Sequence, residues 1–85
     1  STFELGQEAG AAEYRLWRAA LVLMVKDAKA HWLNKTVQGA TEEDKEEAFD
    51  ALCDCTWMLK RICTYTGHDA EALSEGFIKW CSDTA

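Results

Sequence analysis

Apolar residues recur along the first half of the chain at the spacing of an amphipathic helix. The row consists of Tyr14, Trp17, Leu21, Met24, Ala28 and Trp32. Steps of three and four residues keep such side chains on one face of an α-helix, so the row predicts a core-facing stripe. We expect this first helix to span about residues 11–37, with Gly39 as its stop signal.

Two further helices are predicted from caps and glycines, because the chain contains no proline. Thr41 is a good N-cap, and the acidic residues directly after it suit the positive end of a helix dipole. The second helix should continue without a break to Gly67, after which Asp69 caps a shorter third helix that ends near Asp83. The sequence therefore predicts an all-α fold, a long antiparallel two-helix hairpin plus a shorter third helix.

The 85 residues have the length of one domain. We expect residues 1–10 to form a flexible N-terminal arm and residues 11–85 to form a single three-helix domain. Hydrophobic residues make up 48% of the chain and charged residues 28%, which is typical of a folded domain. No apolar run approaches the roughly 20 residues that cross a bilayer, and no leader pattern is present, so we expect no membrane contact and a cytoplasmic location.

The predicted helix lengths leave part of the hairpin uncovered. At about 1.5 Å per residue the hairpin helices would each be roughly 37–40 Å long and the third only about 20 Å. The third helix should fold back over residues 14–24 of the first helix and residues 55–66 of the second. The other half would stay open as a dimer or partner interface formed by Ala28, His31, Trp32, Phe49 and Leu52. We expect a homodimer to close it, with the N-terminal arm and a foreign protein as alternatives.

Trp57 lies on a charged face, roughly opposite the predicted core stripe of the second helix. Its neighbours on that face are Asp50, Asp54 and Arg61. Tryptophan is a frequent anchor of protein interfaces, so this group predicts a partner face. Stacking on Arg61 or cover from the N-terminal arm is the intramolecular alternative.

Charge is unevenly distributed within a net charge of −6. Arg15, Arg18, Lys26 and Lys29 fall on one arc of the first helix. That row suggests an alternative function, a nucleic-acid-associated regulator that follows phosphates, although the residues also suit a solvated face. The acidic residues that follow Thr41 indicate a solvated helix start or, alternatively, a mimic of nucleic-acid phosphate.

No residue pattern indicates a catalytic, cofactor or metal site. The metal-ligating residue types are Cys53, Cys55, Cys63, Cys81, His31 and His68. Cys53 and Cys55 would lie about 200° apart on one helix and cannot share an ion, and no paired-cysteine motif is present. We expect free thiols, no cofactor and no enzymatic activity.

Three segments carry a further pattern. They are Leu16-Trp17-Arg18-Ala19-Ala20-Leu21 reaching Asp27-Ala28, then Trp57 with Arg61-Ile62-Cys63, and Thr66-Gly67-His68-Asp69 before Leu73. They span about two-thirds of the chain, from residue 16 to residue 73, and resemble a loose group of short helical proteins encoded by phages and prophages. That group often has proline where Ala70 stands here. The resemblance implies an accessory protein that contacts host machinery in the bacterial cytoplasm, and it transfers no site residues.

Overall fold

The computed structural model describes the backbone of residues 2–84 and the side chains of residues 12–84. Between residues 2 and 84 there are four α-helices and no strand: α1 (Thr2–Leu33), α2 (Glu42–Asp54), α3 (Trp57–Thr66) and α4 (Ala70–Thr84). The all-α fold class is confirmed. None of the helices within this range combines the length and the apolar character that crossing a membrane requires.

The predicted stripe of α1 faces the core over its central part. Leu21, Met24 and Ala28 are buried, whereas Tyr14 and Trp32 at the two ends are 44% and 40% exposed. The helix begins at Thr2 rather than at residue 11. The side chains of the predicted N-terminal arm lie outside the described residues, so the domain boundary after residue 10 stays a prediction.

α1 ends at Leu33, before the predicted limit at residue 37. Asn34 adopts a left-handed conformation with a φ of 55°, which asparagine tolerates better than most residues other than glycine. The Lys35 amide then donates a 2.8 Å hydrogen bond to the carbonyl of Ala30 and caps the last turn. The stop signal expected from Gly39 falls in the loop that leads to α2.

The predicted N-cap of α2 is confirmed. The Thr41 hydroxyl accepts a 3.1 Å hydrogen bond from the Asp44 amide, and the Asp44 carboxylate accepts a 3.0 Å hydrogen bond from the Thr41 amide. This reciprocal pair satisfies two backbone donors that a helix start otherwise leaves free. It fixes where the chain turns back along α1.

The sequence predicted a second helix that runs without a break to Gly67, and this prediction is wrong. The helix ends at Asp54, because Cys55 has a left-handed backbone (φ 51°) and Thr56 is extended, and a new helix begins at Trp57. The Ser74 hydroxyl of α4 donates a 2.5 Å hydrogen bond to the Leu52 carbonyl, one of those freed at this end. The break is therefore supported by a contact between residues that are distant in sequence, and no glycine or proline lies at it.

α2 and α3 together form the second arm of the hairpin. They run antiparallel to α1, since Phe49 meets Trp32 and Tyr65 meets Trp17. Gly67 ends α3 with a φ of 76°, and the Asp69 carboxylate caps α4 by accepting hydrogen bonds from two backbone amides, as predicted. α4 packs mainly on α2 and only slightly on α3, so the prediction that it covers residues 14–24 and residues 55–66 is wrong. The core centres on Ala28, Leu52 and Leu59, each at most 1% exposed.

Candidate functional site

The half of the hairpin predicted to stay open is largely covered by α4. Ala28 and Leu52 are fully buried, so they are not available to a partner. The reason is the break after α2, which lets α4 lie along α2 and bring Phe77 edge-on to Phe49, with 5.7 Å between ring centroids. The predicted open groove is therefore wrong as a geometric feature.

An aromatic cluster occupies the rim of that covered region. The ring of Phe49 lies 4.9 Å from that of His31 and is stacked at 6.0 Å on that of Trp32. His31 and Phe49 are half-buried, and Trp32 is the one member of the predicted interface that stays exposed. Any role of this group in dimer formation remains a prediction resting on Trp32.

The predicted partner face around Trp57 is at the surface. Trp57 is 68% exposed, and Asp50, Asp54 and Arg61 are also exposed. Arg61 does not stack on Trp57: its guanidinium lies 6.0 Å from the ring centroid of Trp17. The proposed stacking within this face is therefore wrong, and the exposure of Trp57 has no explanation in the contacts of the described side chains.

Arg61 belongs instead to a contact that joins α3 to α1. The rings of Trp17 and Tyr65 are stacked with their centroids 4.7 Å apart and their planes 8° from parallel. The arginine adds a cation above the tryptophan. These contacts hold the end of α3 against α1.

Three of the four basic residues predicted to form a row lie together. Arg15, Arg18 and Lys26 line a shallow groove on α1, whereas the Lys29 ammonium lies 5.1 Å from the ring centroid of Trp80 on α4. Among the described side chains, no ion pair joins this row to the acidic residues of α2. The row is thus shorter than predicted and faces solvent.

α1 also exposes an apolar row beside these basic residues. Its members are Ala12, Leu16, Ala19 and Leu23, which we call the α1 face. Leu16 is 67% exposed and Leu23 is 54% exposed. Steps of four, three and four residues keep the row in one line, as in the seam of a two-helix contact. The described helices leave this line uncovered.

A second groove opens on the other side of Leu23, where α1, α2, α3 and the loop between α1 and α2 meet. It encloses about 460 Å³ and is lined by Ala20, Leu23, Met24, Asp27, Gln38, Gly39, Ala40, Asp44, Glu47, Ala48, Met58 and Ile62. We call it the Asp27 groove. It adjoins the α1 face through Leu23, so the two form one continuous surface.

Asp27 is the unusual member of this groove. The residue is only 8% exposed, and its Oδ1 atom is shielded from solvent without a hydrogen-bond donor among the described residues. Asp27 was not among the site residues predicted from the sequence. Its position between the buried Met24 and Ala28 was the available signal, because that spacing places a carboxylate at the edge of the core stripe.

Lys45 is the other buried charged residue among the described side chains, and its partners are present. Its side chain is 2% exposed, and the ammonium donates a 2.8 Å hydrogen bond to the Lys35 carbonyl and lies 2.7 Å from a Glu42 carboxylate oxygen. The carbonyl follows the C-terminus of α1, where a cation is favourable. Lys45 therefore ties the loop to α2 and is not placed to bind a ligand.

The cysteines form no shared site. All four are free, and no group of three or more His, Cys, Asp or Glu side chains in the described part of the chain could hold a metal ion. Burial is the main cause that raises the pKa of the Cys53, Cys63 and Cys81 thiols above the usual value. These thiols stay protonated at neutral pH, which lowers their reactivity.

Comparison with known protein families, with curated proteins and with solved structures finds no match to this chain.

Proposed function

We propose that the chain is a non-enzymatic interaction module that binds another protein through the α1 face. The supporting observation is the exposure of Leu16 and Leu23, which lie two turns apart on one line of α1 and are 67% and 54% exposed. A contiguous apolar surface of this kind typically marks an interaction site. A phage-type accessory protein that contacts bacterial host machinery would have such a surface and need no catalytic centre.

The spacing of the α1 face suits a helical partner. Ala12 and Ala19 alternate with Leu16 and Leu23, so small residues allow close approach while leucines supply apolar area. Fully burying a leucine side chain contributes about 1.5–3 kcal/mol. Leu16 and Leu23 are each more than half exposed, so roughly half or more of that free energy would be gained when a partner covers them. A second copy of the chain is one partner with a matching face, in keeping with the expected homodimer.

Sedimentation velocity over a range of concentrations tests the homodimer first. If the chain self-associates through the α1 face, Leu16→Glu should convert the dimer to a monomer. Ile78→Glu is the matched control, because Ile78 is 47% exposed on α4, away from this face. A dimer that survives Leu16→Glu would place its interface elsewhere.

A photo-reactive residue at position 19 tests for a foreign partner. Expressed in a bacterial host, it should give a discrete adduct that Leu16→Glu abolishes and Ile78→Glu leaves intact. Circular dichroism should show equal helicity in both variants, because both replaced side chains are exposed. Adducts that are insensitive to Leu16→Glu, or equally abundant from position 72 on α4, would contradict the proposal.

A nucleic-acid-associated regulator is the second candidate function. It is favoured by one observation, the shared groove of Arg15, Arg18 and Lys26. Fluorescence anisotropy with labelled duplex DNA at low and high salt tests it, because phosphate contacts weaken steeply with salt. Binding that Arg18→Ala with Lys26→Ala removes would support it, and absence of binding at low salt would exclude it.

A further inference from the structure

Asp27, which lines the Asp27 groove, has one buried carboxylate oxygen without a hydrogen-bond donor. Asp27 is more than nine-tenths buried, and no donor among the described residues reaches its Oδ1. Such a group destabilises a fold, because it gives up its hydrogen bonds to water and receives none in return. Exceptions of this kind call for an explanation, and a ligand that supplies the missing donor is one.

No described cation of the chain is placed to supply that donor. Lys45 is engaged by the Lys35 carbonyl and the Glu42 carboxylate. Arg15, Arg18 and Lys26 line the separate groove beyond Leu23. The donor would therefore have to come from outside the chain.

The lining of the groove indicates the chemistry of that ligand. Ala20, Leu23, Met58 and Ile62 offer an apolar wall, and Asp44 and Glu47 add negative charge beside it. An arginine side chain combines an apolar stem with a planar cation that carries five N–H donors. The apolar wall matches the stem, and the carboxylates match the guanidinium.

We propose that the Asp27 groove binds an arginine side chain that a partner protein presents from an apolar segment. This rests on the proposed function, because the segment would lie along the α1 face and reach the groove past Leu23. Asp27 would accept hydrogen bonds from the guanidinium, and Met58 would cover its stem. The 460 Å³ of the groove has room for one such side chain.

Hexylguanidinium and hexylurea are matched probes for this chemistry, because they share the apolar chain and differ in charge. Titration of the isotope-labelled protein, followed by amide chemical shifts, should place hexylguanidinium at Ala20, Leu23 and Met58. It should bind about tenfold more tightly than hexylurea, the effect of one charge-assisted hydrogen bond. The oligomeric state is measured by sedimentation at the same concentration.

Asp27→Asn should reduce the preference for hexylguanidinium to about one, whereas Glu75→Gln on α4 should leave it unchanged. Equal binding of the two probes to the unmodified protein would overturn the proposal. Shifts confined to the acidic start of α2 would also overturn it. A dimer whose groove amide signals do not shift when hexylguanidinium is added would overturn it as well, because a second copy of the chain would then fill the site.

The two proposals fail separately. Leu16 does not line the Asp27 groove, so Leu16→Glu tests the α1 face without changing the lining of the groove. If hexylguanidinium binds but no partner depends on Leu16, the proposed function fails and the cation site stands. If the partner depends on Leu16 but the probes bind equally, only the arginine site fails.

Discussion

Replacing Asp27 by asparagine is expected to stabilise the fold. The residue is 8% exposed, and its Oδ1 has no donor within the described part of the chain. A buried polar group without a partner costs about 1–3 kcal/mol, and more when it is charged. Asparagine keeps the shape and removes the charge, so the free energy of unfolding should rise by about 1–2 kcal/mol.

Urea unfolding followed by far-ultraviolet circular dichroism measures that change directly. In a domain of this size each kcal/mol shifts Tm by about 4–8 °C, so the increase is also visible in a thermal melt. Glu75→Gln makes the same chemical change at an exposed position and should alter stability by less than about 0.5 kcal/mol. If Asp27→Asn instead destabilised the protein by about 1 kcal/mol or more, the Asp27 carboxylate would have a hydrogen-bond partner in the folded chain, contrary to the prediction.

Three further predictions about the core are tested by urea unfolding. Ser74→Ala removes the hydrogen bond to the buried Leu52 carbonyl and should cost about 1–3 kcal/mol; no measurable loss would show that the hydroxyl does not support the helix break. Leu59→Ala should cost about 2–5 kcal/mol because Leu59 is fully buried, whereas the exposed Leu16→Ala should cost less than about 0.5 kcal/mol; similar losses would contradict the assigned core. Burial raises the pKa of Cys81, so its thiol loses its proton at a lower pH in the unfolded chain than in the folded one. The free energy of unfolding should therefore fall as the pH rises above about 8.5. Cys81→Ala should make that fall shallower, and an unchanged slope would contradict the assignment.

Local signals in the sequence predict much of the fold. The stripe through Leu21, Met24 and Ala28 identifies the core face of α1, because helical periodicity depends only on neighbouring residues. Thr41 and Asp69 mark helix starts for the same reason, since each caps amides within three residues of itself. Features that depend only on neighbouring residues can therefore be predicted from the sequence.

The break at Cys55 cannot be predicted from neighbouring residues. A left-handed cysteine is unfavourable by roughly 1–2 kcal/mol, so local preference argues against it. The break is supported by Ser74, which lies 22 residues beyond Leu52 in the chain. An unbroken second helix would also keep α4 from lying along α2. Ala28 and Leu52, which are buried in the structure, were therefore predicted to be open.

The same break creates the Asp27 groove, which is why residue patterns alone did not find it. Cys55 and Thr56 redirect the chain so that α3 packs against α1, with Tyr65 stacked on Trp17. Met58 then forms a wall opposite the α1 residues that line the groove. α4 occupies the other side of α2, so it leaves this groove and the adjoining α1 face uncovered. The interaction surface that we propose is thus a consequence of where the second arm of the hairpin bends, and it lies on the opposite side from the one that the helix lengths suggested.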